Sequence, residues 1–130
     1  MIIAALQFEL AIHGAESLKD KRRVVKSLKD RLHREHLVSV AETAALENPT
    51  VAVMGLAIVG NDGKKLGSVL DSILAKLMAL HDAELVSTTR ELIKGKDPEE
   101  AAFEDDQPDT TDLDAELLRY AEDAPEEGAP

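Results

Sequence analysis

The sequence predicts an α+β domain, a four-stranded antiparallel sheet with two helices on one face. Three observations carry this expectation. Two stretches repeat apolar residues at helical spacing. Four stretches alternate, or run apolar, at strand length. The six segments fall in the order β-α-β-β-α-β.

Residues 2–12 form the first strand. Ile2, Leu6, Phe8, Leu10 and Ile12 share one face, while Ile3, Ala5, Gln7, Glu9 and Ala11 share the other. Period two with one strongly apolar face marks a half-buried strand. His13-Gly14-Ala15-Glu16 connects it to Ser17, an N-cap with Asp20 three residues on, a variant of the capping box. Residues 18–36 then read as a helix, with Leu18, Val25, Leu28 and Leu32 in one stripe. A short strand over 37–44 and a turn at Glu47-Asn48-Pro49 follow. Residues 50–59 are the central strand, with Met54, Leu56 and Ile58 on one face. Gly60-Asn61-Asp62-Gly63 ends that strand, and Asn61 or Asp62 caps a second helix carrying Leu66, Val69, Leu70, Ile73, Leu74, Leu77 and Leu80. Residues 84–93 return as the fourth strand. This order is the split βαβ, ferredoxin-like βαββαβ arrangement, and right-handed crossovers favour the spatial order 4-1-3-2.

The chain has 130 residues, enough for one domain. Its formal net charge of -11 divides unevenly. Residues 1–96 hold 14 basic and 12 acidic side chains, a net of +2; residues 97–130 hold Arg119 against 14 acids, a net of -13. Four of the five prolines also lie in that last stretch. It has too little apolar surface to offset the entropy of ordering, so 1–96 is expected to be the domain and 97–130 a disordered acidic tail. Within the tail, Thr111 to Tyr120 can form a short transient helix. Tethered to the domain at high effective concentration, the tail is expected to compete modestly, and in a salt-sensitive way, for any basic surface there.

Several function classes are excluded or disfavoured. There is no cysteine, hence no disulfide, Cys-ligated zinc, iron–sulfur cluster or thiol catalysis. No run approaches the roughly 18 apolar residues of a membrane span, and the N-terminus lacks a basic leader, so a cytoplasmic protein is expected. Gly60 to Lys65 lacks the phosphate-loop spacing. His33 and His36 have no third ligand, and neither Ser17 with His13 nor the strand carboxylates Glu9, Glu42 and Glu91 make a catalytic set. No catalytic residue, metal site or cofactor is expected, and the protein reads as non-enzymatic.

The first helix is the candidate site. Eight cations lie between Lys19 and Arg34. At about 100° per residue, Lys19, Arg22, Arg23, Lys26 and Lys29 make one ridge beside the apolar stripe. Such a ridge can follow phosphates without reading bases. Base stacking on the open sheet face is not expected, because Gln7, Glu9, Val51, Val53 and Val59 offer nothing aromatic. Instead Ile3, Ala5, Val51, Val53 and Val59 leave an apolar patch there, partly covered by long side chains such as Gln7 and Arg90. That patch gives the alternative function, a homodimeric protein–protein module without nucleic-acid binding.

The stretch from Ser17 to Leu32, SLKDKRRVVKSLKDRL, resembles the opening helix of the YlxP-like family of small bacterial proteins. His13-Gly14, Val38-Ser39-Val40-Ala41-Glu42 and Gly60-Asn61-Asp62 support the resemblance, which covers about residues 1–94. It departs from the family at Thr43 to Pro49 and in the long acidic tail. The resemblance implies a ferredoxin-like fold and, from gene neighbourhood, an association with translation or ribosome maturation. The implied partners are ribosomal RNA or a ribosome-associated protein.

Overall fold

In the computed structural model, residues 1–96 are described, and they hold every element that follows. The expected acidic tail and its helix near Thr111 lie outside the described residues. The elements are β1 (Ile2–Ala11), α1 (Leu18–Glu35), β2 (Ser39–Ala44), β3 (Val51–Gly60), α2 (Gly63–Met78) and β4 (Glu84–Lys94). The sheet order is β2-β3-β1-β4, which is the expected 4-1-3-2, and every pairing is antiparallel. The chain therefore has the ferredoxin-like α+β fold.

The core lies between the sheet and the helices. β1 contributes Ala4, Leu6, Phe8 and Leu10, continued by Ile12; β3 contributes Ala52, Met54, Leu56 and Ile58. Register brings Phe8 opposite Met54 and Leu6 opposite Leu56, so the two apolar faces meet as one surface. Val25, Leu28 and Leu32 of α1 and Leu66, Leu70, Ile73 and Leu77 of α2 close over it. The N-cap of α1 is Ser17, whose Oγ accepts from Asp20 N–H at 3.2 Å. The reciprocal bond lands one residue earlier than in a standard capping box: Asp20 Oδ2 accepts from Glu16 N–H at 3.0 Å. Asp62 caps α2, accepting from the N–H groups of Lys64 and Lys65.

Three details differ from the sequence expectation. Residues 37 and 38 precede β2 as a connector, and Leu37 is almost wholly exposed. β4 carries a bulge, because Glu9 pairs with Ser87 but Leu10 pairs with Leu85. The extra residue reverses the alternation beyond it. Arg90 consequently pairs with Leu6 on the helix side and donates to Asp71 of α2 at 2.7 Å; it does not cover the open face.

The third difference is Lys21, which has no exposed surface. Its angle of about 300° from Leu18 lies between those of Leu28 and Leu32, in the middle of the apolar stripe. Its ammonium donates to the carbonyls of Ala45 (2.8 Å), Leu46 (3.1 Å) and Val51 (3.3 Å). These three bonds use all three ammonium protons. Glu42 Oε2, at 2.7 Å, supplies the countercharge without an aligned N–H of its own. The loop between β2 and β3 is thus held at both ends by one side chain. Ala45 sits in the left-handed region with φ 55°, which costs a non-glycine residue roughly 1–2 kcal/mol. The bond from Lys21 to its carbonyl helps hold that conformation.

Replacing Lys21 by Met leaves Glu42 charged, mostly buried and unpaired. The expected loss is about 3–5 kcal/mol of folding stability, read by urea denaturation. Adding Glu42→Leu is expected to recover part of it, since the orphaned charge goes as well. A Lys21→Met variant as stable as the native protein would contradict this description of the loop.

Candidate nucleic-acid interface

Burial of Lys21, Val25, Leu28 and Leu32 fixes the rotation of α1 about its axis. The opposite sector therefore faces solvent. Lys19, Arg22, Arg23 and Lys26 are exposed, and Lys29 is half-buried at the border of the apolar stripe. All five expected residues lie on one side of one helix. Lys26 pairs loosely with Asp30 at 3.4 Å, an exposed i,i+4 contact worth little in water. Among the described residues, no carboxylate lies within 4.0 Å of Lys19, Arg22, Arg23 or Lys29.

Arg34 belongs to the same surface and was not in the expected set. It is exposed and stands about 160° round the helix from Leu18, next to Arg23 at about 140°. The same angular arithmetic finds it. Arg31 does not join the ridge, because Glu35 accepts from its Nε at 3.1 Å. The surface is therefore six cations long, with Lys21 subtracted from the eight and Arg31 neutralised.

The last turn of α1 ends in a small charged network. Lys76 of α2 pairs with Glu35 and bonds His36 Nε2 at 2.7 Å. Lys76 and Arg31 hold the Glu35 carboxyl below its usual value of 4.5. Desolvation, then the Lys76 charge, holds His36 below its usual 6.5. The neutral imidazole accepts from the ammonium, tying the ends of the two helices together.

A concavity of about 580 Å³ opens beside the first turn of α1 and reaches Arg23. His13, Asp20, His81, Asp82 and Glu84 also line it. Three of its polar side chains are engaged: His13 Nε2 and Glu84 Oε2 are 2.8 Å apart, and Asp20 is part of the helix cap. Among the described residues, no three His, Asp or Glu side chains come together as a metal site. His33 and His36 do not converge, since His36 turns to Lys76. The open sheet face carries no aromatic residue among those described; Phe8 is buried on the helix side. No helix among the described residues is long and apolar enough to cross a membrane.

A family model described as a protein of unknown function (DUF503) matches residues 3–90, from the start of β1 to the middle of β4. The chain belongs to this family. No curated protein matches it.

The network at His36 gives stability a pH dependence. The folded protein holds this imidazole below 6.5, so the unfolded chain binds its proton more tightly. Stability is complete above about 6.5 and falls as the pH drops below that value. Glu35 acts in the same direction below 4.5, as protonation removes its pairing with Lys76 and Arg31. Melting temperatures measured between neutral pH and mildly acid pH are expected to fall, and His36→Gln to flatten the fall. An unchanged slope in that variant would remove His36 as the cause.

Proposed function

We propose that this member of the DUF503 family is a non-enzymatic, cytoplasmic RNA-binding protein that grips phosphates with α1. The observation that carries the proposal is the set of exposed cations along that helix, four of whose five expected members have no carboxylate partner among the described residues. An exposed row of this kind is an electrostatic footprint for a polyanion. It offers no base-edge contacts, so the binding is sequence-tolerant.

The helix motif at 17–32 also supports the narrower assignment to YlxP-like proteins. Under that assignment the RNA is ribosomal, and the protein acts in translation or ribosome maturation. Lys19, Arg22, Arg23, Lys26 and Lys29 are the phosphate contacts, with Arg34 extending them.

Filter binding of the full chain to ribosomal RNA fragments at several salt concentrations tests this. With five contacts, the logarithm of affinity is expected to fall against the logarithm of salt with a slope of about -3.5 to -4.5. Arg22→Glu with Lys26→Glu should weaken binding to all fragments alike and lower the slope by roughly 1 per lost contact. No binding even at about 50 mM salt would end the proposal.

A further inference from the structure

β4 lies at the edge of the sheet and is eleven residues long, against six for β2 at the other edge. Among the described residues its outer row of N–H and C=O groups has no strand partner. Long unpaired edges recruit another strand unless something blunts them. Here proline is absent from the strand, and the bulge between Leu85 and Ser87 is confined to one end.

The edge also carries apolar surface. Val86 is 55% exposed and Leu92 51%; Leu92 pairs with Ala4 on the helix side, and Val86 is the extra residue of the bulge. Met78 of α2, 70% exposed, stands beside Val86. Leu74, Met78 and Val86 line a groove of about 530 Å³ between α2 and β4.

The occupant follows from the sequence of β4 itself. Its residues 86–92 read Val-Ser-Thr-Thr-Arg-Glu-Leu, nearly symmetric about Thr89. Laid antiparallel on a second copy about a two-fold axis at Thr89, Val86 meets Leu92, Ser87 meets Glu91, Thr88 meets Arg90 and Thr89 meets itself. Apolar faces apolar, each charge faces a hydroxyl, and no like charges stand directly opposite. A centre at Arg90 or Glu91 sets that charge against its own copy. A centre at Thr88 sets Val86 against Arg90. We infer that the protein forms a homodimer by β4–β4 pairing centred on Thr89, with Leu92 of each copy seated on Val86 and Met78 of the other. The two sheets become one of eight strands, and the contact is isologous. This surface lies on the sheet's edge, apart from the ridge on α1, so it stands or falls independently of RNA binding.

Light scattering of the full chain is expected to give twice the 14.1 kDa of the monomer. Thr89 is exposed, so Thr89→Lys should fold normally and yield monomer, because two ammonium groups then face each other across the axis. The chain has no cysteine, which makes cross-linking unambiguous. Directly opposed residues in an antiparallel pair have Cα atoms about 4.5–5.5 Å apart, within disulfide reach. Under mild oxidation Thr89→Cys should cross-link to a dimer, and Ser72→Cys on the exposed side of α2 should not. A monomeric native chain at high concentration, a Thr89→Lys dimer, or loss of the dimer only with Val53→Glu on the open face would each overturn the inference.

Discussion

The arrangement depends on where one ammonium group sits. Lys21 is buried one turn into α1, and its three protons hold the carbonyls of Ala45, Leu46 and Val51. An amine at that depth is tolerated because every proton has an acceptor and Glu42 supplies the opposite charge. The loop in turn needs the amine. Ala45 and Leu46 lie beyond the end of β2, after the β2–β3 register slips between Glu42 and Ala44. Helix, loop and the start of β3 are joined at one point, where apolar packing alone would leave carbonyls without donors.

That point also sets what α1 shows to solvent. With Lys21 in the same buried stripe as Val25, Leu28 and Leu32, the helix cannot turn about its axis without exposing the amine's partners. Lys19, Arg22, Arg23 and Lys26 are consequently held outward. At the other end of the helix, Glu35 and His36 engage Lys76 and tie α1 to α2. The ridge is rigidly presented between two fixed ends, so the ordering cost of binding an anion falls on its long side chains and not on the helix.

Most of the fold was legible because its signals are local. Alternation in β1 and β3, helical spacing in both helices, and the caps at Ser17 and Asp62 each act within a few residues. Element ends agree to within one or two residues, and the sheet order follows from handed crossovers. The departures have different causes. Composition counts Lys21 as a surface cation, and only its angle within the apolar stripe marks it as buried. The place of Arg90 depends on a bulge at the start of β4, which no residue in the strand announces; one extra residue moves it from the open face to Asp71. The candidate ridge was legible for the opposite reason: exposed cations on a helix follow its period directly. Arg34 was within reach of the same arithmetic.

The central claim is that Lys21 is a sequestered, fully hydrogen-bonded ammonium that sets the face of α1. Proton–nitrogen NMR of the lysine side chains at neutral pH tests it most directly. A buried, bonded ammonium exchanges its protons with water slowly, whereas exposed ones exchange quickly. The account predicts a persistent Lys21 Nζ signal under conditions where those of Lys19 and Lys26 are lost to exchange. A Lys21 signal that vanishes along with Lys19 and Lys26 would contradict it.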